Sequence, residues 1–88
     1  MVTQKVQIIN PTGLHLRPAG IFCQEAMKYT SSITFHSGAS GTANAKSVLS
    51  VLGACIKSGD EIEIVCEGED EEEALKALVA LVENGFGE

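Results

Sequence analysis

The residues best suited to chemistry lie together in the segment Gly-Leu-His-Leu-Arg-Pro-Ala at positions 13–19. His15 offers an imidazole, which is a competent nucleophile at neutral pH. It stands where a glycine-ended loop meets the start of a predicted helix, and the first backbone N–H groups of a helix have no partner within it and attract anions. Arg17 adds a permanent cation with several donors for a phosphate. The pattern therefore suits reversible phosphoryl transfer on His15.

Spacing alone leaves a plainer interpretation open, in which His15 only caps the helix and Arg17 is an ordinary surface charge. The loop that carries His15 follows a strand predicted over about residues 2–9, with Val6 and Ile8 on its core face. Asn10-Pro11-Thr12-Gly13 is typical of a turn. A helix is predicted over about 16–29, because its apolar residues recur at helical spacing and Pro18 falls in the first turn.

The rest of the chain alternates between strand and helix patterns. Strands are predicted at 32–37, weakly at 42–45, and most clearly at 61–67, with a turn at Gly38–Gly41. A short helix is predicted from Ser47 to about Cys55. A last helix follows a capping box of Asp70 and Glu73, and Asn84-Gly85 ends it. This β-α-β-β-α-β-α order favours an α+β fold with all helices on one face of an antiparallel sheet.

Composition excludes several classes of protein. A chain of 88 residues predicts one domain over residues 1–88. A net charge of −6 argues against nucleic acid or an anionic membrane as partner. No apolar run is long enough for a membrane span or resembles a signal peptide, so we expect a cytoplasmic location. The three cysteines form no metal or disulfide pattern, and we expect each to be a small buried hydrophobe.

The segment at 13–19 resembles the active-site signature of the HPr family, the phosphocarriers of the bacterial phosphoenolpyruvate:sugar phosphotransferase system. The resemblance extends over essentially the whole chain, including Asn44–Leu49 and Glu67–Glu71. It implies an open-faced β-sandwich, with three helices covering one face of a four-stranded antiparallel sheet. The first strand of that sheet would lie at one edge, followed by the fourth, the second and the third.

The resemblance also implies roles for His15 and Arg17. His15 would accept a phosphoryl group at Nδ1 from phosphorylated enzyme I and pass it to the IIA domains of sugar permeases. Arg17 would neutralise that phosphate. The chain would then be a carrier without metal or cofactor rather than an independent enzyme.

Ser47 is similar to the regulatory serine of the same family, which a dedicated ATP-dependent kinase phosphorylates. Partners would then include that serine kinase or phosphorylase and a transcription regulator. The plainer interpretation is that Ser47 is the N-cap of the second helix, and both roles can hold, because a phosphate is tolerated at a helix N-terminus.

An apolar patch on the second helix is also implied by the resemblance. Val48, Leu49 and Leu52 would form part of a surface that partners cover, although burial in the core is an open alternative. For Val51 the core is preferred.

Three features depart from the family pattern. Leu16 and Gly20 both stand where Ala or Thr is common, and because they flank His15 they bear on the fit of partners. The turn at 38–41 is one residue longer than usual.

Alternative functions remain open. One is a regulatory HPr-like protein acting through Ser47, although known relatives of that kind lack the active histidine. Another is a nitrogen-related phosphocarrier. A metal-binding module lacks clustered ligands, and an enzyme with its own small-molecule pocket is disfavoured by the small size of the domain.

Overall fold

The computed structural model describes residues 1–38 and 41–88 and confirms the predicted α+β fold. Four strands form one antiparallel sheet in the order β1-β4-β2-β3: β1 is Val2–Gln7, β2 is Ser32–His36, β3 is Ala43–Asn44 and β4 is Glu61–Glu67. Three helices accompany it: α1 is Leu16–Ala26, α2 is Val48–Gly53 and α3 is Glu71–Glu83. A 3₁₀ turn follows at Gly85–Gly87.

Alternation of side chains along the strands separates the two faces of the sheet. Ile62, Ile64 and Cys66 of β4 are buried, while Glu61 and Glu67 are exposed. The buried strand residues share one core cluster with the apolar stripes of the helices. The helices therefore cover one face, and the other face carries polar side chains.

Phe22 of α1 lies at the centre of this core and is fully buried. Its ring makes edge-to-face contacts with Phe35 of β2 at a centroid distance of 5.5 Å and with Phe86 at 6.1 Å. Such geometry suits the aromatic quadrupoles and adds to the burial of apolar area. The contacts join the first helix to the sheet and to the turn that follows α3.

Three elements are shorter in the structure than the sequence predicted. β1 ends at Gln7 rather than at residue 9, α1 ends at Ala26 rather than at 29, and α2 spans only residues 48–53. The buried stripe of α3 consists of Ala74, Leu78, Val79 and Val82. Leu75 and Leu81 of the same helix are only partly buried.

Strand pairing gives His36 a partner that its sequence neighbours do not show. Antiparallel pairing sets His36 opposite Glu63, and its Nε2 lies 3.1 Å from a Glu63 carboxylate oxygen. The predicted turn at 38–41 includes Ala39 and Ser40, which lie outside the described residues.

Asp70 is the N-cap residue of α3, as predicted, but its side chain makes no capping hydrogen bond, so the predicted capping box with Glu73 is not formed. Its carboxylate instead accepts hydrogen bonds from the backbone N–H groups of Thr30 and Ser31, both at 3.0 Å, and from the Ser31 hydroxyl. Gly68 permits this approach, because a Cβ there would lie 2.6 Å from Ser31 Oγ. The carboxylate of Asp70 therefore links α3 to the loop before β2.

These hydrogen bonds predict an acid-dependent stability difference. The Ser31 hydroxyl and then the Thr30 amide lower the pKa of Asp70 from 3.8 to about 2. A lowered pKa in the folded state means that the carboxylate stabilises the fold above the unfolded value of 3.8, and that this stabilisation is lost as the pH falls through about 2. We expect Asp70→Asn to unfold at lower urea concentration than the wild type at neutral pH. The difference between their urea midpoints should narrow towards pH 2.

Urea titrations at a series of pH values measure this gap. Glu72→Gln is the matched control, because Glu72 is exposed and its side chain makes no hydrogen bond to the described part of the chain. A gap for Asp70→Asn that stays constant with pH would contradict the assigned role of the carboxylate.

Candidate functional site

A tight turn after β1 carries the histidine, as its composition predicted. Asn10 is 2% exposed, and its side-chain amide donates to the carbonyl of Gly13 at 2.8 Å and to Thr12 Oγ1 at 3.3 Å. The backbone N–H of Gly13 donates to the carbonyl of Asn10 at 3.2 Å. Asn10 thus closes the turn from both its backbone and its side chain.

Gly13 fixes where this turn lies against the rest of the molecule. Its φ is +65°, and a Cβ on it would lie 2.6 Å from the carbonyl oxygen of Ile56 and 2.8 Å from Cα of Lys57. The next residue, Leu14, is buried and donates its N–H to the Ile56 carbonyl at 3.0 Å. Only glycine combines this backbone conformation with such close packing. His15 is consequently held against the loop that follows α2.

His15 occupies the N-cap position of α1 but does not cap it with its side chain. Its carbonyl accepts the N–H of Ala19 at 2.8 Å, while the exposed imidazole makes no hydrogen bond to any described residue. The N–H groups of Leu16 and Arg17 also have no acceptor in the described chain, and Pro18 has none to donate. The interpretation of His15 as a simple cap is therefore not supported, and the ring and two amides are free for an anion.

The imidazole opens onto a groove between the turn and the end of α2. This groove has a volume of about 770 Å³ and is lined by Pro11, Thr12, Leu14, His15, Leu52, Cys55, Ile56, Lys57 and Ser58. Cys55 is exposed and has φ +55°, so the expectation that all three cysteines are buried was wrong here. The spacing of residues in the sequence did not predict Cys55 and Lys57 as neighbours of His15, because their nearness to it depends on the packing of Gly13 against the loop after α2.

Glu88 is a second residue near the site that the sequence did not single out. Its carboxylate accepts hydrogen bonds from the Asn10 amide and the Thr12 hydroxyl, both at 3.0 Å. These bonds, together with the nearby charge of Arg17, lower the pKa of Glu88. Arg17 is exposed, and the Glu88 carboxylate is its anionic neighbour. No sequence signal relates positions 12 and 88.

Ser47 is the N-cap of α2, as predicted. Its hydroxyl oxygen accepts the N–H of Ser50 at 3.2 Å. The preceding Lys46 donates from Nζ to the carbonyl of Tyr29 at 2.7 Å, which joins the start of α2 to the segment after α1. The serine is partly exposed at a helix N-terminus.

The residues predicted to meet partners lie on the solvent side of α1 and α2. Leu16 is 70% and Leu49 is 82% exposed, whereas Val51 is fully buried. Val48 and Leu52 are half-buried. A Cβ added at Gly20 would meet no atom within 4 Å. The two helices thus present an apolar surface beside the His15 groove.

Comparison with known proteins identifies the family. The family model described as "PTS HPr component phosphorylation site" matches residues 2–84. The chain belongs to the HPr family. The family includes the phosphocarriers of the phosphotransferase system, and several relatives of this chain carry the name Phosphocarrier protein HPr.

Individual HPr-family relatives are similar over nearly their whole length. Phosphocarrier protein HPr of Mycoplasma pneumoniae is 40% identical over 82 residues, covering 91% of this chain and 93% of the relative. HPr-like protein Crh of Bacillus subtilis is 40% identical over 83 residues, covering 94% and 96%. A crystal structure of HPr from Thermoanaerobacter tengcongensis superposes with a TM-score of 0.95 at 42% identity, covering 100% of this chain and 98% of that one.

No helix in residues 1–38 and 41–88 is long and apolar enough to cross a membrane.

The packing of Gly13 predicts a stability defect centred on the site. In Gly13→Ala, the new methyl group would collide with backbone atoms of Ile56 and Lys57, and the residue would be strained at φ +65°. We expect a loss of about 2–4 kcal/mol in the free energy of unfolding, measured by urea denaturation. Gly41→Ala is the control, because a Cβ there meets no atom within 4 Å. Equal stability of the two variants would refute the role of Gly13.

Proposed function

We propose that this protein is a phosphocarrier that accepts a phosphoryl group on His15 from phosphorylated enzyme I and passes it to the IIA domains of sugar permeases. The observation that carries the proposal is the exposed imidazole at the start of α1, which is free of any capping bond and lies next to two unpartnered amides and Arg17. Membership of the HPr family supports it. The carrier acts as one domain.

The chemistry is an in-line displacement at phosphorus. A lone pair on Nδ1 of His15 attacks the phosphorus, the P–Nδ1 bond forms, and the bond between phosphorus and the donor atom of enzyme I breaks with its electron pair staying on the donor. Transfer to a IIA domain repeats the step in the opposite sense. The chain supplies positioning and charge stabilisation, which are most of the catalysis in phosphoryl transfer. The backbone N–H groups of Leu16 and Arg17 and the guanidinium of Arg17 donate hydrogen bonds to the phosphate oxygens.

Regulation by a phosphate on Ser47 is part of the proposal. The serine hydroxyl lies at the first turn of α2, whose unpaired N–H groups tolerate negative charge. The same charge would oppose docking of an acidic partner beside the exposed Leu49. A serine kinase or phosphorylase and a transcription regulator are the further partners that this modification implies.

Mass spectrometry tests the acceptor residue. Incubation with phosphoenolpyruvate and a purified enzyme I should add one phosphate that is labile to acid, and His15→Ala should remove this product entirely because no other imidazole lies beside the amides of α1. His36→Ala is the control and should retain it, since His36 pairs with Glu63 on the sheet. An unchanged mass of the wild type, or labelling of His15→Ala, would overturn the proposal.

Ser47 variants separate capping from regulation. Asp caps helices about as well as Ser, whereas Ala costs about 1 kcal/mol. We therefore expect Ser47→Asp to match the wild type in urea denaturation but to accept phosphate from enzyme I more slowly. Ser47→Ala should lose about 1 kcal/mol of stability and keep its transfer rate. Slow transfer in the Ala variant as well would point to the cap, and not to charge, as the cause.

A further inference from the structure

One edge of the sheet is open, because β1 has a neighbouring strand on one side only in the described part of the chain. Ile8, directly after β1, bonds towards the β4 side through its N–H at 2.8 Å and its carbonyl at 2.7 Å. Backbone groups alternate in direction along a strand, so those of Thr3, Lys5 and Gln7 point away from the sheet. They have no partner among the described residues. Such an edge is a template for a further strand.

Helix α3 continues the apolar surface past this edge as an open groove of about 450 Å³. Val2 and Gln4 of β1 form one side, and Leu75, Val79 and Ala80 of α3 form the other. Val2 and Leu75 pack against the core but stay only partly buried. A strand added to β1 would therefore place every second side chain over apolar area that the free protein leaves in water.

The rim of this groove is acidic. Glu72 and Glu83 of α3 line it and are exposed, and their carboxylates make no ion pair or hydrogen bond with the described residues. Lys76 also lines the groove, and it is the one cation against eleven acidic residues in the whole of residues 60–88. About 16 Å of helix separates Glu72 from Glu83, and six residues of added strand span about 20 Å. Cations near the two ends of such a strand would each reach a free carboxylate.

We propose that the groove between β1 and α3 is a docking site for an extended segment of a basic partner protein, which becomes the new edge strand of the sheet. The backbone of Thr3 and Lys5 sets its register, its apolar side chains fill the groove at alternate positions, and its cations pair with Glu72 and Glu83.

Charge decides between this occupant and a second copy of the chain. Two copies joined through β1 would bring two acidic α3 helices side by side, and like charges brought together oppose association. A cationic segment is attracted instead. None of the groove residues lines the His15 groove, so a partner bound here leaves the imidazole open. The proposal does not depend on phosphoryl transfer.

A fluorescent peptide of sequence Lys-Thr-Val-Thr-Val-Thr-Lys is the probe. Its lysines and valines share one face of a strand, and its threonines share the other. Fluorescence anisotropy with the full chain in about 0.15 M salt should show saturable binding. The peptide Glu-Thr-Val-Thr-Val-Thr-Glu should bind at least about tenfold more weakly. Methylating the amide nitrogens along one edge of the lysine peptide should abolish binding, and methylating those along the other edge should not, because only one edge bonds to β1.

Variants of α3 locate the site. Glu72→Lys should raise the Kd of the lysine peptide at least about fivefold. Glu73→Lys is the matched control, because Glu73 is exposed in the same turn but does not line the groove, and it should leave the Kd within about twofold of the wild type. Ala80→Arg should fill the groove and abolish binding while keeping the wild-type Tm, since Ala80 is exposed and Arg suits a helix.

Three results would overturn the proposal. The first is the absence of saturation up to about 1 mM lysine peptide, or binding that Ala80→Arg leaves unchanged. The second is an equal loss of affinity in Glu72→Lys and Glu73→Lys, which would indicate attraction to the overall charge instead of docking in the groove. The third is a dimer, detected by sedimentation, that Ala80→Arg dissociates, because it would assign the groove to a second copy of this chain.

Discussion

The contact between Gly13 and the backbone at Ile56 and Lys57 determines where the imidazole lies. The glycine leaves no room for a side chain, and the adjacent Leu14 amide bonds to the Ile56 carbonyl at 3.0 Å. Two further bonds join Ile8 to Gly59 and Asp60, so the chain from Ile8 to Leu14 is fixed to a loop more than forty residues later. Since His15 follows directly, α1 begins where α2 ends. The groove, the unpartnered amides and the exposed leucines are grouped together because of this contact.

The sequence allowed most of the architecture to be predicted, because alternation in β4 and the apolar stripe of α1 are local patterns. The positions of His15 and Ser47 at two helix starts followed from the same reasoning. Interactions between distant segments could not be obtained in this way. Asp70 is the N-cap residue that its spacing to Glu73 suggested, yet its carboxylate accepts hydrogen bonds from the amides of Thr30 and Ser31 instead of capping α3. The positions of Cys55 and Glu88 at the site likewise depend on tertiary contacts.

The net charge of the chain does not describe the charge of the surface around His15. The value of −6 describes the whole chain, yet eleven of the twelve acidic residues belong to the part that begins at Asp60. The helices α1 and α2 and the loop with Lys57 come from the part that precedes it. Near His15, Arg17 and Lys57 come from the earlier part and Glu88 from the later one, so the net charge of the chain does not give the sign of the charge at the site.

Cys55, the residue with positive φ after α2, offers a native attachment site for a spectroscopic label. Of the three thiols, Cys23 and Cys66 are buried, and burial raises the pKa of Cys66 to about 11, which leaves it protonated and inert at neutral pH. Cys55 alone among them faces solvent, and it shares a groove with the imidazole. A maleimide dye or spin label would accordingly attach at one place, without any engineered cysteine, and its emission or mobility would register whatever enters the groove.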